Sequence, residues 1–573
     1  MNTASCQISQ IGVHGFRARA FGAPRNDGGG MTAEQCDYVI VGAGSAGCVL
    51  AERLSANGKY RVVLLEAGGR DTNPWIHIPL GYGRTMFDAR VNWMFETEPE
   101  PGLDNRRIKQ PRGKVLGGSS SINGLLYVRG QAQDYDHWRD LGNPGWGFAD
   151  VLPYFKKSED QARGADPWHG AGGPLAVGDL PDPHPVAEAF IGAGVSVGIP
   201  YTRDFNGEQQ EGVGYYQATA RRGLRCSAGV AFLRPAKRRA NLRVITDAHA
   251  TRILFDGVRA RGVAYRVGSD ERQALAAKEV ILAAGALQSP QLLQLSGIGP
   301  AELLREHGIA VLSDRKGVGA NLQDHLQARF ILECKHKITL NDDMRSFTRM
   351  ARAGLNYALF RKGPLGWWAG LAGGFARTRP DLDRPDVQLL LMPFSTERVD
   401  PKLHAFSGFT LSMCKLRPES RGTLRIRSKN PLAAPAIQVN YLADPRDLET
   451  MIAGVKLMRK ITAAPALASI IACERDPGPE CAGDADIAAF VRAKGISVYH
   501  PVGTCRMGPD ADAVVDPELR VRGVSGLRVV DASIMPTLVS GNTNAAAILI
   551  GEKGADLILA SAEQANWPAG KAA

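Results

Sequence analysis

The chain has 573 residues, 44% of them hydrophobic and 22% charged, which suits a globular protein of two domains and excludes a disordered or fibrous one. Its 69 basic residues against 58 acidic give +11, but the densest basic cluster, Arg234, Lys237, Arg238, Arg239 and Arg243, lacks interleaved aromatics and reads as a solvated face, not a nucleic-acid site. No apolar run is long enough to cross a bilayer, and nine cysteines without a CxxC pair read as reduced thiols, against a disulfide framework or a zinc site.

Residues 1–34 carry Arg17, Arg19 and Arg25 without a continuous apolar core, and Gly28 to Gly30 precede Met31. They read as a flexible extension or an upstream start, ahead of a transit peptide, and not as a secretory signal. The first strand-like run, Tyr38 to Val41, breaks into GAGSAG at residues 42–47, and a second, Val62 to Leu65, ends in Glu66. Gly42 allows a tight turn, Gly44 lets backbone N–H groups approach a pyrophosphate, and Gly47 lets the helix bearing Ala46, Val49, Leu50 and Leu54 pack on the sheet. The helix N-terminus then faces negative charge. Glu66 is placed to accept from ribose hydroxyls, and its charge disfavours the 2′-phosphate of NADP.

PRGKVLGGSSSING at 111–124 follows, a loop where backbone can approach a flat ligand. GALQSPQLLQLSGIG at 285–299 is another strand-to-helix passage, and GVGANLQDH at 317–325 is a polar loop with no catalytic reading of its own. Runs at Val280 to Gly285 and Leu527 to Asp531 read as buried parallel strands. If they join the sheet of residues 38–66, a nucleotide domain is assembled from 35–157, 217–328 and 500–562, leaving 158–216 and 329–499 as a substrate domain. That second part holds alternating runs, Val387 to Leu391 and Gly422 to Ile426, which suggest an antiparallel sheet. It also holds a basic amphipathic helix from Met344 to Lys362, with Met344, Phe347, Ala351, Leu355, Ala358 and Leu359 along one side. Packing of that side on its own domain is favoured over contact with a membrane surface.

Six motifs in order, DYVIVGAGSAG, GKVLGGSSSIN with Tyr127, GALQSPQLLQLSGIG, NLQDH, YHPVGTCRMG and RVVDASIMPTLVSGNTNAA, run from about Asp37 to Leu559. Through them the sequence resembles the glucose–methanol–choline oxidoreductases, FAD-dependent enzymes that oxidise alcohols. GRDTNPWIHIPLGYG at 69–83 and DFNGEQQEGVGYYQ at 204–217 add similarity to the bacterial choline dehydrogenase and aliphatic alcohol dehydrogenase branch. The resemblance implies an α/β fold, with a Rossmann-like FAD domain built from discontinuous segments and a substrate domain with an antiparallel sheet. It places Gly42, Gly44, Ser45, Ala46 and Gly47 at the FAD pyrophosphate and Glu66 at the ribose. Trp93, Gly118 and Asn123 fall toward the flavin end, Ala250 near the adenine, and Asp531 beside the phosphate and ribityl chain. Some relatives attach FAD through a histidine where this chain has Ile122, so dissociable FAD is expected.

Oxidising an alcohol requires a group to take the hydroxyl proton, and histidine has a near-neutral pKa. Of 11 histidines, His500 stands in YHPVGT with Pro501 and Gly503 restraining its backbone. The family sets a second histidine or asparagine across the hydroxyl, and Asn544 in GNTNAA is assigned that place, alongside a compatible role capping the helix that begins there. His77, His137, His325 and His404 receive no chemistry, and no metal site is expected. Aliphatic alcohols are the first substrate choice and choline the second. Trp367 and Trp368 are candidates for a cage around its ammonium, with core packing the simpler account. A quinone-type acceptor or oxygen would take the electrons, in the cytoplasm or peripherally at the inner membrane. The rivals are a hydroxynitrile lyase or fatty-acid photodecarboxylase of the same fold, a NAD-dependent dehydrogenase, and a membrane-associated binding protein without turnover.

Overall fold

The computed structural model describes residues 33–397 and 402–565. The expected extension lies outside the described residues except for Ala33 and Glu34, which already belong to the first strand. In chain order, β1 (Ala33–Val41), α1 (Ser45–Ser55) and β2 (Val62–Leu65) are followed, after a long excursion, by β3 (Gly212–Tyr215). Then come β4 (Leu242–Ile245), β5 (Ala248–Asp256), β6 (Arg259–Val267), β7 (Asp270–Leu282) and β8 (Leu326–Cys334). Two helices, α2 (Leu340–Arg345) and α3 (Phe347–Phe360), precede β9 (Ala372–Ala376), β10 (Val387–Met392) and β11 (Gly408–Lys415). Helix α4 (Pro445–Ala463), β12 (Ile471–Asp476), β13 (Ile496–Ser497), β14 (Leu527–Val529) and α5 (Asn544–Ala565) complete the framework.

The first large sheet has the order β4-β2-β1-β7-β6-β5, with β14 also on β7. Its centre is parallel: Val39 lies opposite both Val63 and Val280, and Val280 opposite Leu527. The two distant runs read from sequence therefore do join the sheet of the glycine turn. All four residues of β2 and the last four of β1 are buried, as parallel strands covered on both faces require. Helices α1 and α5 lie together beside this sheet, tied where Arg53 pairs with Glu552 and, at 2.5 Å, with Asp556.

The second large sheet is antiparallel, in the order β12-β8-β11-β10-β9-β3, with β13 beside β8. Helix α4 packs on β11, whose eight residues are all buried. Of the two alternating runs, Val387 to Leu391 belongs to this sheet. The other does not, because Thr423–Arg425 pairs only with Ala436–Gln438 in a separate ladder. The single helix expected over 344–362 is broken at Ser346, which caps α3 by accepting from Arg349 N. Its expected packing is also overturned. Met344, Phe347, Ala351, Leu355, Ala358 and Leu359 are exposed, and the buried residue of α3 is Tyr357.

Candidate active site

A cavity of about 890 Å³ runs from the glycine turn after β1 to β8 and β10 of the antiparallel sheet. At its nucleotide end, Gly42 holds φ +100°, a conformation that suits glycine. A side-chain carbon on Gly47 would lie 1.8 Å from Gly42 O, so the helix can approach the strand only without one. Gly44 has no atom nearer than Ala283 O at 4.0 Å to such a carbon, which would instead fill the cradle. Gly44, Ser45 and Ala46 line the cavity, whereas Gly47 lies behind it as a packing residue. Glu66 is buried, and its two oxygens accept from Ala43 N and Gly68 N, each at 2.8 Å. Burial pushes its carboxyl up to about 7, against the pull of those two donors.

The other sequence-assigned residues line the same cavity: Trp93, Gly118, Asn123, Ala250 and Asp531. Trp93 stacks on Phe95 at 5.7 Å. Asn123 Oδ1 accepts from Arg225 Nη1 at 2.6 Å, and Asp531 Oδ2 accepts from Gly285 N at 2.9 Å and from Ser289 Oγ at 2.5 Å. Ile122 lines the wall between Ser119 and Asn123. An aliphatic group stands where a covalent link to a flavin would need a nucleophile. The glycine cradle, the acidic terminus of β2 and the long apolar cavity fit a dinucleotide that carries a ring system toward the second sheet.

At the far end, His500 is buried, lines the cavity and follows Tyr499, whose φ of +70° turns the chain sharply. His500 Nδ1 lies 2.9 Å from His325 Nδ1, and His325 Nε2 lies 2.8 Å from Leu416 O. A carbonyl can only accept, so His325 Nε2 carries a hydrogen. Burial holds the His325 imidazole below its ordinary range and hence neutral, leaving its Nδ1 as an acceptor. His500 must then donate from Nδ1, and its Nε2 keeps a lone pair toward the cavity. Burial first, and the Arg112 charge after it, hold the His500 imidazole well below the usual histidine range. Asp324 fixes the backbone of both rings, its Oδ1 accepting from His325 N at 2.9 Å and His500 N at 2.7 Å. Its Oδ2 accepts from Ser497 Oγ and Tyr441 Oη, each at 2.5 Å, and from Gln110 Nε2 at 2.9 Å.

The amide brought to His500 is Asn542, not Asn544. Asn542 Nδ2 lies 3.3 Å from His500 Nε2, while its Oδ1 accepts from Gln388 Nε2 at 3.1 Å. Asn544 stands at the start of α5 and its Oδ1 accepts from Ser45 Oγ at 2.7 Å, in the glycine cradle. Two residues of a turn entering a helix point different ways, and counting along GNTNAA alone did not separate them. His325 also belongs to this group, although no chemistry is assigned to it from sequence; its place in NLQDH, one of the six motifs, is the available signal. Neither Trp367 nor Trp368 lines the cavity: Trp368 is buried in a separate core with Leu125 and Phe375, against which Trp367 packs.

Two family models, both described as GMC oxidoreductase, match residues 36–327 and 418–551. The chain is 46% identical to an alcohol dehydrogenase [acceptor] of Pseudomonas putida, over 93% of this chain and 97% of that one. It is 44% identical to the mitochondrial choline dehydrogenase of Homo sapiens, over 96% of both chains. Among solved structures, pyridoxine 4-oxidase from Mesorbium loti superposes with a TM-score of 0.82 at 32% identity, over 91% of this chain and 98% of that one. A formate oxidase does so with 0.87 at 27% identity, over 93% and 99%.

Proposed function

The chain belongs to the GMC oxidoreductases, FAD-dependent enzymes acting on CH–OH donors, and on that premise we propose that it oxidises primary aliphatic alcohols to aldehydes. FAD bound in this cavity supplies the acceptor for the hydride that leaves the alcohol carbon. Gly42, Gly44, Ser45, Ala46 and Glu66 hold its nucleotide half, and Asp531, Gly118 and Asn123 the remainder. The alcohol oxygen reaches both His500 Nε2 and Asn542 Nδ2 from the cavity side, taking over the 3.3 Å contact between them. Nε2 takes the hydroxyl proton, and the amide donates to the oxygen as negative charge grows on it. His325 keeps the His500 lone pair on the correct nitrogen, and Asp324 keeps both rings in place. The observation that carries this reading is the neutral His500 Nε2 facing the Asn542 amide inside the cavity that holds the nucleotide cradle.

The cavity wall supports an alkyl substrate over choline. Its lining carboxylates are Glu66 and Asp531, both engaged by main-chain N–H groups at the nucleotide side. Beyond them stand Leu340, Leu390, Met392 and Phe394, with Arg84, Arg112 and Arg329 as the charged neighbours. A quaternary ammonium would meet positive charge there, and two aromatic rings it could use, Trp75 and Trp93, already carry Arg84 at 4.0 Å and Lys114 at 4.8 Å. The relatives' names include an alcohol dehydrogenase [acceptor] and oxygen-dependent choline dehydrogenases, and on the likeness to the first we assign a quinone-type acceptor ahead of oxygen. Anaerobic bleaching of bound flavin across straight-chain alcohols and choline, followed by reoxidation with a quinone or air, tests both points. Faster bleaching by choline than by any alkanol would overturn the substrate assignment, and faster reoxidation by air the acceptor.

A further inference from the structure

We propose that α3 and an adjoining hairpin form a docking surface for an anionic lipid bilayer. The spacing of Phe347, Ala351, Leu355, Ala358 and Leu359 puts them on one stripe of the helix. This stripe faces outward: Phe347 is 79% exposed, Leu355 61% and Leu359 64%. Of the thirteen large apolar residues exposed among the described residues, six fall between Met344 and Phe360. Exposed apolar residues normally occur singly, and a cluster marks a contact surface.

The charge around the stripe identifies what covers it. Arg345, Arg349, Arg352, Arg361 and Lys362 are all exposed, and no Asp or Glu occurs between Asp343 and Asp381. Arg349 shares a distant pair with Asp343 at 3.7 Å. A second segment brings the same chemistry to the same place: Tyr357 Oη donates to Gly223 O at 2.8 Å, beside the exposed Arg221, Arg222 and Leu224. Arg221 is paired with Asp160 at 2.6 Å. Apolar side chains reaching the acyl boundary, rimmed by guanidinium groups at phosphate depth, are complementary to an anionic membrane. A second copy of the chain would instead set these cations against one another. Met344, just before α3, and Leu365, just after it, line the substrate cavity, so the surface adjoins the chamber an alkanol would enter. The proposal does not depend on the reaction assigned to that chamber.

The test is co-sedimentation of the FAD-loaded protein with vesicles of phosphatidylcholine alone or mixed equally with phosphatidylglycerol, at low and high salt. The expected result is sedimentation with the mixed vesicles that weakens as salt rises. F347S/L355S/L359S should abolish it. R349Q/R352Q should reduce partitioning by roughly tenfold or more. None of these five residues lines the cavity, so both variants should keep bound flavin and its bleaching by a soluble alcohol, which excludes misfolding as the cause. Wild type remaining in the supernatant with both vesicles overturns the proposal. So does a dimer in size-exclusion chromatography that the triple variant converts to monomer without any vesicle binding, since the stripe would then be a contact between copies.

Discussion

In the proposed reaction His500 and Asn542 do different work, and substitution should separate them. Replacing His500 with Ala should leave FAD bound but slow anaerobic bleaching by about 10²- to 10⁴-fold, the usual contribution of a general base. Asn542→Ala should slow it by about 10²-fold, as loss of a donor to a developing oxyanion does. Asn544→Ala should act elsewhere: it removes the acceptor for Ser45 and should weaken FAD retention in dilution or dialysis while leaving bleaching of the flavin that remains bound within about threefold. Equal losses of bleaching rate at Asn542 and Asn544 would contradict the placement of the two side chains. The pH profile belongs to the same pair. A base whose pKa is lowered stays deprotonated, and so active, at neutral pH. The acid limb of kcat/KM should therefore lie below about pH 6.5, the ordinary histidine value, with activity lost only as pH falls through the depressed pKa. His325 is a positioning residue acting through its neighbour. Its replacement by Leu should lower the rate and move that limb further down, because a neutral His325 accepting from Nδ1 favours the protonated His500 ring and that support is then lost.

At the scale of the elements, the segments Tyr38 to Val41, Val62 to Leu65 and Val280 to Leu282 were legible in the sequence because each is a short apolar run followed by a small or acidic residue, a pattern that burial on both faces demands, whereas β4, interrupted by Arg243, was not. The glycine turn was equally legible, since Gly42 and Gly47 answer to local sterics that act within a few residues. Gly47→Val should therefore be among the most damaging single changes. Its side chain would overlap Gly42 O, and the expected result is loss of bound flavin and a lowered unfolding midpoint, both read by following flavin fluorescence on heating. What stayed hidden depended on contacts between distant segments. Nothing local in NLQDH says that its histidine meets one 175 positions later, and nothing in GNTNAA says which amide turns toward the base. The orientation of α3 was missed for a different reason: an apolar stripe has the same period whether it faces a core or the outside, and only the packed fold decides between them.

At the scale of the whole molecule, the cavity joins two sheets of opposite character. The parallel sheet lines it with the glycine turn after β1, and the antiparallel sheet with Gln327, Arg329, Leu390 and Met392. Ile122 lines this cavity, and its aliphatic side chain predicts that acid precipitation releases all the flavin into the supernatant, with none retained in the washed pellet. Retained flavin would point to a covalent bond through some other residue.

The mounting of His500 has a consequence for how such a protein can diversify. Asp324 gathers donors from Gln110, His325, Tyr441, Ser497 and His500, so the base hangs from one fully engaged carboxylate. Leu340, Leu390, Met392 and Phe394, which line the same cavity, contribute no donor to that carboxylate. Random replacement of those four side chains can therefore redraw the shape of the accepted alcohol while the proton-transfer machinery stays in register. The same freedom does not extend to Tyr441 or Ser497, which never touch the substrate chamber yet hold its chemistry in place.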